Sequence, residues 1–430
     1  MTRLTYPQYH DVCGWNELLP RRTPQPAPTG RHRVKHAVIG GGYTGLAIAR
    51  RLAELDPKSE IVVLEASEIG EGSSARNSGF TSAYALPRGV SLEKAKHAEA
   101  MSRYTSEGLS WLKKLIEENG IDCQLTQSGS FRGAATDLGE ANVRAALEVV
   151  RKFDIKHAFL NRQQMHEHTG TSYYRYGLYI EDNYLLQPAA LIRGLADSLP
   201  APVTLYENAP VLRINKAGRW HLELDGAQFE ADNLFLATNA FIKRFGYLQD
   251  RLVTIYTYAA LTESIPEIDR RYMGKAEAWG ITPSHRLGTT CRRGGEDRLM
   301  VRSLYSYEQE LDPEKVRASL RSCFYRRWPQ LSHINLQYVW GGTTALTMNG
   351  SPYWGKLEEG LYASAGCNGG GINKGTLLGK KLAELALGHG DHTHLRETYG
   401  QANWVAPEPF RTIGFNVISW VERKKANLEM

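Results

Sequence analysis

A chain of 430 residues exceeds one ordinary compact domain, and its 42% hydrophobic and 23% charged residues suit a globular protein with core enough for two. The net charge of +6 is not gathered into a Lys/Arg run, which argues against a nucleic-acid partner, and no apolar run reaches the ~18 residues of a stable membrane insertion. Five scattered cysteines without a CxxC pair speak against a disulfide framework or a zinc site, and "MTRLTYPQYHDVCGW" has no apolar centre, so a soluble cytoplasmic protein is expected.

Residues 1–33 read as an N-terminal arm whose proline-rich end, "PRRTPQPAPTGR", should be extended. From His36 the pattern becomes strand, glycine turn, amphipathic helix and strand, a βαβ unit. "SLEKAKHAEAMSRYTSEGLSWLKKLIEENG" predicts one or two helices closing at Gly120, "DCQLTQSGSFRGAAT" a strand, and "ATDLGEANVRAALEVVRKF" a helix. "LQPAALIRGLADSL" is helical after its proline, while "VTLYENAPVLRI", "RWHLELDG" and "NLFLATNA" read as strands. Residues 246–335 alternate strand and helix signals and are rich in Tyr and Arg. "LYASAGCNGGGINKGTLLGKKLAELAL" then returns to strand, glycine loop and helix. Two glycine-loop units at opposite ends of the chain imply a nucleotide domain interrupted by a substrate domain.

In the first unit Gly40, Gly42 and Gly45 form G-x-G-x-x-G at the strand-to-helix turn, with Tyr43 and Thr44 opening the helix. Gly40 permits the tight turn, Gly42 lets backbone approach a pyrophosphate, and Gly45 lets the helix pack on the strand. The free N–H groups of the helix start favour phosphates. Glu65 ends the second strand about 20 residues on, where a carboxylate can accept ribose hydroxyls and would repel a 2′-phosphate. The loop that follows, "SEIGEGSSARNSGF", separates FAD from NAD. FAD needs a second small-residue loop for its diphosphate and ribityl chain; NAD does not. The late loop "SAGCNGGGINKG" before a helix can likewise face a flavin's pyrimidine edge and stabilise negative charge.

These pieces, in this order, resemble the FAD-dependent amine and amino-acid oxidoreductases of the D-amino-acid oxidase, glycine oxidase and sarcosine oxidase superfamily. Within it the chain is most similar to γ-glutamylputrescine oxidases and aminophosphonate oxidoreductases. The resemblance rests on "VIGGGYTGLAIARRLAE", "VVLEASEIGEGSSARNSGF", "GIDCQLTQSGSFRGA", "NLFLATNA", "VWGGTTALTMNGSPYWG", "ASAGCNGGGINKGTLLGKKLAE" and "PFRTIGF". It implies an α/β (α+β) fold: a Rossmann-like FAD-binding domain of the glutathione-reductase type, with an inserted mixed-sheet substrate domain. Segments 34–95, 160–245 and 336–430 would form the first, and 96–159 and 246–335 the second.

The resemblance also implies site residues. Gly40, Gly42, Gly45, Glu65 and Ala66 would hold the ADP half, and Ser74, Arg76, Asn77 and Ser78 the stretch towards the flavin. Val211 is a candidate backbone contact to adenine, and Thr238 and Asn239 pass near the pyrophosphate. Gly341, Gly369, Gly370, Gly371 and Ile372 would surround the isoalloxazine. Three departures matter. Relatives read S-G-H-G where this chain has Asn368-Gly369-Gly370-Gly371, so the imidazole is missing. "WGGTTALTM" contains no cysteine, and Cys367 sits in a different motif, so FAD is expected to be non-covalent. Met300 falls where sarcosine oxidases carry an oxygen-activating lysine, which leaves the electron acceptor open between O2 and another oxidant.

Oxidising a C–N bond through a flavin demands orientation and desolvation from the protein rather than a catalytic triad, and no triad is visible. Substrate anchors are expected in "SHRLGTTCRRGGEDRLMVRSLYSY", because arginine forks suit a carboxylate or phosphonate. Arg302 is the first candidate, followed by His285, Arg286, Tyr258 and Met300. A small amine with a distal anionic group is the expected substrate, and an aldehyde the product after imine hydrolysis. Glycine, sarcosine or a D-amino acid is the alternative, and a non-catalytic or nucleic-acid-modifying flavoprotein the alternative of another class. His166 and His168 lack a third ligand at a useful spacing, so no metal is expected. Trp15 belongs to the arm, near the pocket or at a subunit contact, and the amphipathic "FNVISWVERKK" should pack on its own domain.

Overall fold

Strand Gly30–Ile39 is exposed at its start and buried over its last four residues, as a strand covered on both faces must be. The computed structural model describes residues 5–85 and 92–430; residues 86–91, within the first expected FAD segment, lie outside them. Gly30–Ile39 is central in a sheet ordered Tyr353–Glu358, Leu361–Ala365, Ala227–Leu236, Gly30–Ile39, Ile61–Leu64, Val203–Tyr206. From Leu361–Ala365 to Val203–Tyr206 all pairings are parallel. Strands Arg213–Ala217 and Arg219–Glu223 extend Ala227–Leu236 as an antiparallel meander. Helix Tyr43–Leu55 makes the first crossover and buries Leu46, Ile48, Leu52 and Ala53 against the sheet. Helix Thr376–Ala386 packs beside it at a glycine: a Cβ on Gly379 would overlap the Thr44 carbonyl. The first and last glycine loops are thereby neighbours.

The second sheet is mixed and ordered Leu336–Leu346, Val253–Thr262, Arg298–Tyr307, Thr290–Gly294, Gly280–Pro283, Ser130–Ala134, Tyr176–Ile180, His157–Asn161. Strands Tyr176–Ile180 and Leu336–Leu346 fall within segments expected in the FAD domain, yet both pair here. A strand belongs to the edge that satisfies its backbone groups, and local composition does not reveal that edge. The pairing of Val253–Thr262 with Arg298–Tyr307 contains a bulge. Tyr258 faces Ser303 and Thr257 faces Tyr305, leaving Leu304 over, with φ +63°. The row Tyr305–Thr257–Gly342 then runs across three strands on one face.

The proline-rich stretch of the arm is extended, but the residues before it are packed. Cys13 and Trp15 are 0% and 1% exposed, and Trp15 meets Trp340 edge-on at 6.1 Å. Further on, Arg22 donates to both oxygens of the buried Glu207 at 2.6 Å, and Glu207 also accepts the Ile69 N–H.

Candidate active site

Two chambers open where the sheets meet. A narrow one of about 130 Å³ lies against Gly40–Gly42, Leu64–Ala66, Val211 and Ala237–Phe241. A wide cleft of about 1140 Å³ runs between the sheets. They join at Gly42, Ser73, Ser74, Ala237, Asn239 and Thr343.

The narrow chamber is shaped by missing side chains. Gly40 has φ +104°, and a Cβ on Gly45 would overlap the Gly40 carbonyl oxygen. A Cβ on Gly42 would come within 2.8 Å of Ser74 Oγ, which itself accepts the Tyr43 N–H at 3.2 Å. Gly45 lines neither chamber and serves packing, as its place in the motif predicts. Glu65 accepts the Gly41 N–H at 2.7 Å and the Ser67 N–H at 3.2 Å; burial pushes its carboxyl above the usual range, and these bonds oppose that. Thr238 Oγ1 is buried without a hydrogen-bond partner. Val211 lines the chamber, but its carbonyl already accepts the Thr5 hydroxyl at 2.7 Å. A glycine cradle, a helix start, a carboxylate and an unpartnered hydroxyl fit the ADP half of FAD.

Along the cleft stand Ser74, Arg76, Asn77 and Ser78 on one side and Gly369, Gly370, Gly371 and Ile372 on the other. Arg76 pairs with Glu71 at 3.2 Å and donates to the carbonyls of Asp11 and Gly341. A Cβ on Gly369 would meet nothing within 4 Å, so this loop is open to a ligand. Asn368 fixes it by accepting the Thr347 N–H at 2.9 Å and donating to the Gly366 carbonyl at 2.7 Å. A single π-helical turn, Gly371–Gly375, leads into helix Thr376–Ala386.

Three expected residues stand elsewhere. Gly342, not Gly341, lines the cleft; the space over Gly341 is filled by the Glu310 carboxylate. A one-residue change of register turns a strand position to the other face. Met300 is 0% exposed inside the cluster that holds Cys13, Trp15 and Trp340, because the packed arm covers that end of the strand. His285 is buried beside Glu422, its Nε2 3.4 Å from the carboxylate, and is not part of the wall.

Arg302 does line the cleft. Its Nη1 donates to the Tyr305 hydroxyl at 3.1 Å, and no carboxylate lies within ion-pair distance among the described residues. Arg286 lines it too but is paired with Glu422 at 2.8 Å. The Tyr258 hydroxyl is engaged by Ser306 Oγ at 2.8 Å and the Leu311 N–H at 2.6 Å. Sequence reasoning missed Lys374, a lining residue whose ammonium is pushed below its usual pKa by burial. Its signal was a lysine directly after the late glycine loop, where the helix begins. Helix Phe410–Ala426 borders the mouth with Arg411, Phe415, Ile418, Glu422 and Arg423, and its Phe410, Ile413, Val417, Ile418 and Trp420 are exposed. The cleft's charged lining comprises seven cations (Arg76, Arg132, Arg286, Arg302, Lys374, Arg411, Arg423) and one carboxylate, Glu422.

The chain is 27% identical over 360 residues to the gamma-glutamylputrescine oxidoreductase of Escherichia coli K12, spanning 82% of this chain and 83% of that protein. It is 25% identical over 391 residues to the probable oxidoreductase OrdL of Rhizobium meliloti, spanning 87% and 88%. The crystal structure of glycine oxidase from Geobacillus kaustophilus superposes with a TM-score of 0.73 over 86% of this chain and 99% of that one; at 19% identity this likeness concerns the fold. The sequence pattern of the DAO family, described as FAD dependent oxidoreductase, matches residues 35–385. The glycine cradle, Glu65 and the late glycine loop all fall inside that match, and the chain belongs to the DAO family of FAD-dependent oxidoreductases, enzymes that act on amines or amino acids.

Proposed function

We propose that the protein oxidises the C–N bond of a small primary or secondary amine carrying a distal anionic group. γ-Glutamylputrescine-like amides and aminoalkylphosphonates, such as 2-aminoethylphosphonate or its N-methyl form, have this pattern. The observation that carries the reading is Arg302, which lines the basic cleft with no acid in ion-pair distance among the described residues. The name of the Escherichia coli relative supports it.

FAD, held non-covalently when bound, supplies the hydride acceptor for the carbon next to nitrogen. Gly42, Ser74 and the start of helix Tyr43–Leu55 would hold its diphosphate, with Arg76 contributing positive charge. Arg302 grips the substrate's anion with the N–H groups that Tyr305 leaves free, fixing the far end of the molecule. Phe80, Ile255 and Ala259 give the wall an apolar part that excludes water and favours the neutral amine. The imine formed hydrolyses to an aldehyde, and O2 or another acceptor takes the electrons.

The test is anaerobic mixing of the yellow protein with γ-glutamylputrescine, 2-aminoethylphosphonate, N-methyl-2-aminoethylphosphonate, sarcosine, glycine and several D-amino acids. Bleaching of the flavin band by an anion-tailed amine is expected. Bleaching by an α-amino acid alone would replace the proposal with an amino-acid oxidase or dehydrogenase.

A further inference from the structure

The arm precedes the region matched by the family, which starts at residue 35. It nevertheless hydrogen-bonds six residues of the small-residue loop that follows Glu65. Asn16 Nδ2 donates to the Gly70 carbonyl at 2.7 Å and to Glu71 at 2.8 Å. The Tyr9 hydroxyl meets Ser73 Oγ at 3.1 Å, and Cys13 Sγ donates to the Ala75 carbonyl at 3.5 Å. Arg76 donates to the Asp11 carbonyl at 2.9 Å, and Trp15 Nε1 donates to the Asn77 carbonyl at 2.9 Å. A loop of Gly70, Gly72, Ser73, Ser74 and Ala75 has few side chains with which to fix itself, and ordering it is costly in entropy. From within, Arg76 and Asn77 brace it on the Glu71 and Ser74 carbonyls, at 2.7 and 2.6 Å, and the arm holds it from outside.

The same arm reaches both chambers. Tyr9 meets Thr343 Oγ1 at 2.9 Å, at the junction where the chambers join. Thr5, Tyr6 and Pro7 line the narrow chamber directly, and Thr5 is only 7% exposed with its hydroxyl on the Val211 carbonyl. The rest of that chamber's wall comes from the first sheet and the loops at its carboxyl edge, with Ile192 of helix Pro188–Asp197 and Thr343 of the second sheet. Behind these residues the arm is anchored: Gln187 donates to the Trp15 carbonyl at 2.7 Å, and Arg22 grips Glu207.

We propose that the N-terminal arm is a component of the FAD site. Residues 9–16 hold the loop of residues 70–77 in its binding shape, and Thr5–Pro7 form the outer wall of the chamber for the ADP half, so FAD leaves only when this first stretch lifts. Thr5, Tyr6, Pro7 and Tyr9 are positioning residues. The inference rests on FAD as the cofactor and is independent of the amine assignment.

The test compares the full chain with a chain lacking residues 2–8 and with Tyr9→Phe, which keeps the ring over Arg76 but removes the hydroxyl's bonds to Ser73 and Thr343. FAD dissociation is followed by fluorescence recovery after dilution, and the thermal midpoint of each apoprotein is recorded alongside. Dissociation faster by about ten-fold in both variants, with apoprotein midpoints unchanged, is the expected result. Chymotrypsin should also cut after Tyr9 in the apoprotein and be slowed by FAD; the Tyr6–Pro7 bond is not a substrate. Unchanged dissociation in both variants, or equal cleavage with and without FAD, overturns the proposal. If the truncated chain does not fold, Thr5→Val in the full chain carries the same comparison. None of these readouts uses an amine, so a wrong substrate assignment leaves them intact.

Discussion

The Arg302 guanidinium carbon lies 5.1 Å from the centre of the Tyr305 ring, and Nη1 of the same arginine donates to that tyrosine's hydroxyl. The phenol holds the arginine in place while engaging one of its five N–H donors. A fork kept in position this way has little left to lose in side-chain entropy when an anion arrives. Arg302→Lys should raise KM for the anion-tailed amine by roughly 10- to 100-fold, the size of a charge-assisted hydrogen bond, with kcat and FAD content nearly unchanged. Steady-state kinetics on the amine that reduces the enzyme would check this, and an unchanged KM in Arg302→Ala would remove the residue from the site.

Gly45 and Gly42 should separate packing from binding. A Cβ at Gly45 collides with the Gly40 backbone, which has nowhere to go, so Gly45→Ala should yield aggregated or FAD-free protein. At Gly42 the nearest atom is the rotatable Ser74 hydroxyl, at 2.8 Å. Gly42→Ala should fold, melt as apoprotein like the parent, and bind FAD about ten-fold more weakly in a fluorescence titration.

The cysteines should divide by environment. Burial pushes the thiols of Cys13, Cys123 and Cys291 up to about 11, which leaves little thiolate at neutral pH. Cys367 lines the cleft beside Asn239 and Thr344. A maleimide at pH 7 should label Cys367 first in the native apoprotein, as read by peptide mass spectrometry, and FAD should protect it. Rapid labelling of Cys13 would contradict the packed arm.

Two buried imidazoles set an acid limit. His36 is fully buried 3.6 Å from Asp56, and His285 lies against Glu422; in both, burial holds the pKa below the ordinary 6.5 despite the nearby acid. The unfolded chain therefore binds more protons than the native one between the native pKa and 6.5. Stability rises with pH across that window and falls as the solution is acidified through it. The thermal midpoint should drop as the pH is lowered below 6.5, and His36→Gln should flatten part of that slope. A midpoint that is level across the window in the parent protein would show that neither group is buried neutral.

Much of the cofactor half was legible because its requirements are local. Gly40, Gly42 and Gly45 are needed for reasons of backbone conformation and contact that a few residues determine, and Glu65 follows from where its strand ends. Positions on the second sheet were harder to place. Gly342 rather than Gly341 lines the cleft, a difference of one residue in a strand whose register only its neighbours set. Met300 shares a strand with Arg302, but the arm, from a distant part of the chain, covers it. In the arm only the proline-rich end has a local pattern; the burial of Cys13 and Trp15 depends on partners far along the chain.

The extra residue at Leu304 bears on how relatives are compared. Arg302 and Tyr305 share a wall although three positions apart, because the strand accommodates one residue that pairs with nothing across from it. In any related chain whose strand runs without that insertion, the side chain performing Tyr305's task stands two positions after the arginine. Aligned columns beyond Ser303 would then match residues on opposite faces. Specificity along this wall has to be compared by facing partner, Thr257 and Gly342, rather than by counting along the chain.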